Sequence, residues 1–182
     1  MTYHRLTGGR LTDDQLASGE AGQNEARLDR PAAAVRASYL AGMRAICAED
    51  GTSAAWLDEA SEDFGRFAAG RAALHRMWEV PVTELWYTRE SDYLGTVVIR
   101  HKLTPPLLHD GGNIGYHVVP GHRRQGHATA MLAAACNRCR DSGMSRVLLT
   151  CQPENLASRR VIEANGGVLD SADDLLRYWI AL

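Results

Sequence analysis

The stretch Asn113-Ile114-Gly115-Tyr116-His117-Val118-Val119-Pro120-Gly121-His122-Arg123-Arg124-Gln125-Gly126-His127-Ala128-Thr129 decides how the rest of the chain is read. It begins as a strand, because Ile114, Tyr116, Val118 and Val119 are β-branched or aromatic and Pro120 withholds the donor a longer ladder needs. It ends as a helix. From Ala128 the apolar residues recur at Met131, Leu132, Ala135, Cys136 and Cys139, a stripe of period 3.6. A strand–loop–helix of this kind aims unpaired backbone N–H groups and the positive end of the helix dipole at one point. Such a point binds an anion, most naturally a phosphate. Gly126 and Ala128 leave the backbone uncovered for a diphosphate, and Arg123 and Arg124 add charge.

The rest of the chain sets bounds on that reading. At 182 residues, 45% hydrophobic and 23% charged, it has the make-up of an ordinary globular protein of one domain. A net charge of −2 gives no footprint for nucleic acid or an anionic membrane. No apolar run approaches the roughly 20 residues of a membrane span, and the N-terminus lacks a signal-peptide stretch. A cytoplasmic location is the default expectation. Of the four cysteines, Cys136 and Cys139 form a Cys-x-x-Cys pair, but both lie on the apolar helix stripe and no second pair exists. They read as small buried hydrophobes, and no metal site is expected.

Residues 1–25 carry Gly8-Gly9, Ser18-Gly19 and few apolar residues, and read as a flexible leader before a single domain at 26–182. Leu28 fits a short first strand. Asp29-Arg30-Pro31 marks a helix start, with Val35, Tyr39, Met43, Ile46 and Cys47 at helical spacing and a stop at Asp50-Gly51. Ser53 opens a second helical stretch through Trp56, Leu57, Ala60, Phe64 and Phe67, which Leu74 and Trp78 would continue and Gly65 or Gly70 would split. Glu49, Asp50, Asp58, Glu59, Glu62 and Asp63 form an acidic run without a basic residue, read as a solvated face. Its sharper alternative is attraction of a cationic acceptor. Val82 to Thr88 and Leu94 to Ile99 form a hairpin, and His101 to Gly112 a connection. After the long helix come the strand Val147 to Thr150, a helix capped by Asn155 and stopped at Asn165-Gly166-Gly167, and a last hairpin around Ser171 to Asp174. The fold class is α/β: a mixed, mostly antiparallel central sheet with helices on both faces.

Val119-Pro120 followed by Arg123-Arg124-Gln125-Gly126-His127-Ala128 resembles the signature of the GNAT superfamily of acyl-CoA N-acyltransferases. Cys151 to Ser158, with Asn155 and the later Gly166-Gly167, is similar to that family's second segment, in the right order and spacing. Arg177 to Ile180 and Gly111 to Tyr116 also look like a bacterial subgroup of acetyltransferases with unassigned substrates. The resemblance implies acetyl-CoA as co-substrate, an amine of a small molecule or peptide as acceptor, no metal, and no nucleic-acid or membrane partner. It leaves a homodimer open. It implies that Val118 and Val119 offer backbone groups to the pantetheine arm and the thioester. Arg123, Arg124, Gln125, Gly126, His127, Ala128 and Thr129 would then hold the pyrophosphate, with Asn155 and Ser158 beside the arm.

Acyl transfer from a thioester to an amine needs an oxyanion donor, a route for the amine proton and a donor for the leaving thiolate. Many members of the family carry a tyrosine where this chain has Ile162, and a glutamate where it has Asn113. Asparagine orients a water but takes no proton. His117, on the same face of the strand as Asn113, is the nearest residue that could. Glu154 and Cys151 are weaker candidates. Beside the acetyltransferase stand two other readings, a non-catalytic acyl-CoA-binding domain on the same fold and an unrelated phosphate binder. The last is disfavoured, since no Gly-Lys-Ser/Thr follows the loop and only one glycine of a dinucleotide fingerprint is present.

Overall fold

Leu28, 3% exposed, anchors β1 (Arg27–Asp29), which pairs antiparallel with the far end of the long strand β3 (Val80–Arg89) in a computed structural model that describes residues 25–73, 75–77 and 79–182. The expected leader, apart from Glu25, lies outside the described residues, as do Leu74 and Trp78. β3 turns at Glu90-Ser91 into β4 (Asp92–Arg100), and β4 pairs with β5 (Ile114–Val118). A short β2 (His75–Met77) joins the near end of β3, where the sequence reading had the second helix running on. These five strands form one sheet. β6 (Arg146–Cys151), β8 (Leu176–Ala181) and β7 (Val168–Ala172) form a second, in the order β6-β8-β7, and every pairing in both is antiparallel.

One face of the large sheet is covered by three helices. α1 (Arg36–Asp50) follows a 3-10 turn at Ala33–Val35 and ends on left-handed Gly51, so it starts later than Pro31 and stops where expected. The second helical stretch is split into α2 (Trp56–Glu62) and α3 (Phe64–Ala72), and the break lies at Asp63 rather than at either glycine. Asp63 accepts a hydrogen bond from the Arg66 N–H, and so caps α3 instead of continuing α2. Tyr39, Phe64, Trp86 and Tyr93 pack in this layer, with Tyr39 stacked on Trp86 at 4.4 Å between ring centres. α1 lies directly on the end of the sheet at Gly42, where a Cβ would come within 2.6 Å of Val119 Cγ1.

The main core fills the other face. Met131, Leu132, Ala135, Cys136 and Cys139 of α5 (His127–Asp141) pack against Leu85, Leu94, Val97 and Ile114, and Ile162 of α6 (Leu156–Ala164) joins them with Tyr178 and Ile180 of the second sheet. The helix stripe read from the sequence is the one that is buried. Cys136 and Cys139 belong to it, and burial pushes their thiols up to about 11 and about 12. The connection from His101 to Gly112 contains a short α4 (Pro105–His109), whose Leu107 closes a small cluster over Val80 and Val82. Among the described residues no helix is long and apolar enough to cross a membrane.

Candidate active site

The loop after β5 has the backbone of an anion cradle. Arg124 and Gly126 are both left-handed, at φ 64° and 82°, and such residues turn successive N–H groups to one side. Gly126 caps α5 without any side-chain bond, and the first backbone bond runs from Ala130 N–H to Gly126 C=O at 3.1 Å. The N–H groups of His127, Ala128 and Thr129 thus have no partner among the described residues. A Cβ on Gly126 would meet nothing within 4 Å, so the space over the glycine is open. Arg124 is exposed and has no partner among the described residues. Gln125 reaches back to the Gly121 carbonyl at 3.4 Å.

Arg123 behaves differently from its neighbour. Its Nε donates to the Val118 carbonyl at 3.0 Å, while Nη1 and Nη2 grip Glu49 of α1 at 3.0 and 2.7 Å. Its charge is already met by a carboxylate. Sequence gives the two arginines equal standing, and the structure separates them.

Beside the loop, β5 and β6 belong to different sheets, and the gap where they part is the candidate cleft. Register settles which backbone groups face it. Gly115 and His117 pair with Val98 and Thr96, and the Val119 N–H donates to the Leu94 carbonyl at 3.0 Å. In an antiparallel ladder the alternate residues Ile114, Tyr116 and Val118 therefore turn their N–H and C=O groups away from β4. Val118 offers its N–H to the cleft but not its carbonyl, which Arg123 holds, and the Val119 N–H is spent on β4. The expectation of two free valine backbones becomes Val118 together with Tyr116.

The two sheets meet at Asn113. Its backbone N–H donates to the Leu148 carbonyl at 2.7 Å, its Oδ1 accepts from the Leu148 N–H at 2.9 Å, and its Nδ2 donates to the Arg100 carbonyl at 3.0 Å. At 2% exposure the amide bridges β4 and β6 and has no access to water. This speaks against the water-orienting role expected from the sequence: both polar atoms of the Asn113 amide are spent on joining the strands.

On the far wall, Asn155 Oδ1 caps α6 by accepting from the Ser158 N–H at 3.0 Å, so that oxygen belongs to the helix start. The Ser158 hydroxyl lies 3.0 Å from the phenol of Tyr116, across the cleft. Burial raises the Tyr116 phenol, with the Ser158 hydrogen bond opposing, so both groups stay protonated donors. Cys151 is buried, its thiol likewise raised by burial, and Glu154 lies exposed on the loop. Ile162 is fully buried in the core, and the cleft hydroxyls come from Tyr116 and Ser158 instead. The Tyr116 pairing has no local sequence signal, because its partner is 42 residues away.

The opposite face of β5 carries His117. Its Nε2 lies 2.9 Å from the Tyr93 hydroxyl, which is 2.7 Å from Thr96 Oγ1. Burial, and then the nearby Arg123 charge, hold His117 down to about 4. The imidazole is neutral at ordinary pH. On the same layer the Glu84 carboxylate, 3% exposed, accepts from Trp86 Nε1 at 2.9 Å and from Arg71 Nε at 3.0 Å. A glutamate in the run Val82 to Tyr87 was the available sequence signal for this polar cluster, since period 2 puts it on the face of Trp86. Among the described residues no group of three or more His, Cys, Asp or Glu is arranged to hold a metal.

The family model described as "Acetyltransferase (GNAT) domain" matches residues 29–168, well over half of the chain. The chain belongs to the GNAT acetyltransferase family. Solved GNAT structures share its fold. RimL, a ribosomal L7/L12 α-N-protein acetyltransferase in complex with coenzyme A, is 16% identical over 85% of this chain and 93% of its own, at a TM-score of 0.60. The microcin C7 self-immunity acetyltransferase MccE, in complex with acetyl-CoA and AMP, is 13% identical over 87% and 93%, at 0.57. RimJ of Mycobacterium smegmatis, in complex with CoA-disulfide, is 24% identical, but the match spans 57% of this chain and only 54% of RimJ, at 0.47. No curated protein matches the sequence significantly.

Proposed function

We propose that this GNAT protein is an acetyl-CoA-dependent N-acetyltransferase, moving an acetyl group to the amine of a small molecule or peptide by direct attack on the thioester. The observation that carries the reading is the uncapped, left-handed loop at Arg124–Gly126, with open space over Gly126, leading into a cleft lined by unpaired strand backbone. The loop N–H groups and Arg124 would hold the pyrophosphate. The Tyr116 backbone would pair with the pantetheine arm, with Asn155 and Ser158 beside it. The binding of acetyl-CoA by MccE and of coenzyme A by RimL supports this assignment, and the protein amine named for RimL falls within the acceptor class.

In the reaction a neutral amine attacks the thioester carbonyl. The Val118 N–H, facing the cleft, is placed to donate to the oxyanion. As the carbon–sulfur bond breaks, the Tyr116–Ser158 hydroxyl pair donates to the thiolate. The ammonium proton leaves to water. His117 titrates far below neutrality, too weak a base for an ammonium, and is tied to Tyr93, so it orients the acceptor side instead. Acetyl-CoA at a hundred times its dissociation constant should stabilise the fold by about 2.7 kcal/mol, read as a rise in melting temperature. Thiol release over a panel of amines then identifies the acceptor. No thermal shift and no calorimetric heat at millimolar acetyl-CoA would overturn the reading.

A further inference from the structure

Arg123 stands in the loop assigned to the coenzyme, yet its guanidinium bonds to Val118 and Glu49 lead elsewhere. One arm meets the carbonyl of Val118, whose N–H faces the cleft, and the fork meets both carboxylate oxygens of Glu49 in the last turn of α1. α1 covers the sheet face that carries Trp86, Tyr93 and His117, the side on which the amine would enter under the proposed function. Its Tyr39 stacks on Trp86 and lies 4.7 Å from the ring of Tyr93, the partner of His117. It also rests on Val119 at Gly42, and Ser38 Oγ holds the backbone of Ser91 and Tyr93 at 2.7 and 2.9 Å. Loop, strand end and acceptor-side helix therefore converge on one side chain.

We propose that Arg123 is a positioning residue rather than a phosphate ligand: with Glu49 it couples the coenzyme loop to α1, so that filling the loop orders the helix that shapes the acceptor side. Arg124 is then the loop's phosphate-facing cation. The proposal rests on the reading of the loop as the acetyl-CoA site. Geometry favours arginine here, since a planar fork can meet both carboxylate oxygens while Nε reaches a third acceptor, and an ammonium on one stem cannot. The pair is close to half exposed on each side, so its loss should leave the fold standing.

The test uses the full chain with acetyl-CoA as the only probe. In the wild type, saturating acetyl-CoA should slow amide exchange in the loop at 124–129 and, by about threefold or more, in the last turn of α1 at 46–50. R123A, R123K and E49Q should each keep acetyl-CoA affinity within about threefold and keep the loop protection, while protection of α1 disappears. R124A should lose about tenfold or more in affinity yet still protect α1 once saturated. If Arg123 is a phosphate ligand, R123A loses affinity like R124A, R123K restores it, and E49Q binds more tightly because the arginine is released. Any of those results overturns the proposal, as does unchanged α1 protection in R123A. No acetyl-CoA binding in the wild type would instead bring down the assignment of the loop.

Discussion

Just before β5, Asn113 joins two sheets through three hydrogen bonds and is almost wholly buried; at the other end of the same strand, Val118 and the loop beyond it leave N–H groups unpaired among the described residues. The strand is five residues long, so the change from fully satisfied to open happens within roughly one side of a nucleotide-sized ligand. Unpaired backbone is costly in a core and ordinary at a binding site. The contrast teaches that a buried polar side chain can serve function at a distance. Asn113 fastens the strands at one end of β5, and the groups left open lie at the other.

The largest effect is expected at the fastened end. Asn113→Ala would leave the Arg100 carbonyl and the Leu148 N–H without their side-chain partner, at about 1–3 kcal/mol for each buried group. The loss should appear as a lower denaturation midpoint in urea. A variant as stable as the wild type would mean that other contacts set the point of separation. At the open end the loss should fall on binding instead. Gly126→Glu puts a side chain and a negative charge into the open space over the loop and costs about 1–2 kcal/mol for a left-handed residue with a Cβ. Acetyl-CoA heat should vanish in calorimetry while the circular dichroism spectrum is kept. Equal binding by Gly126→Glu would take the loop out of the site.

The smallest effect concerns His117, between the two ends. Its folded pKa near 4 is below the ordinary value of 6.5, so the unfolded chain takes up the proton first on acidification. Its contribution to stability is complete above about pH 6.5 and is lost as pH falls towards 4. His117→Asn should flatten the stability profile in that window, and the His117 ring proton should titrate near 4 by nuclear magnetic resonance. In the wild type the turnover profile should show no limb near 6.5 from this residue. A midpoint near neutrality would restore His117 as the general base.

Much of this was legible because the signals are local. The strand–loop–helix at 113–129 carries its own period change, its proline and its glycine, and the stripe from Met131 to Cys139 is the buried one. The order of elements followed in the same way. What failed depended on long-range partners. Asn113 shows in the sequence only its place at the start of a strand, but its amide bonds to Leu148, 35 residues on. Arg123 looked like Arg124 until Glu49, 74 residues away, took its charge. The short helix at Pro105–His109 and the strand at His75–Met77 are too brief for any period to declare them. Asp63 could have been found, since an aspartate three residues before Arg66 in a helical run is a cap signal.

Under the proposed function, Gly42 has a consequence for anyone who would widen the range of acceptors. A glycine inside a helix ordinarily invites replacement by alanine, for a gain of about 0.5–1 kcal/mol. Here the methyl group would have to occupy space held by Val119, at the junction of the strand and the loop. The helix would be jacked away from the sheet by its own stabilising mutation, carrying Tyr39 and Glu49 with it. Enlarging the acceptor side by thickening that contact would therefore misalign the coenzyme side as well.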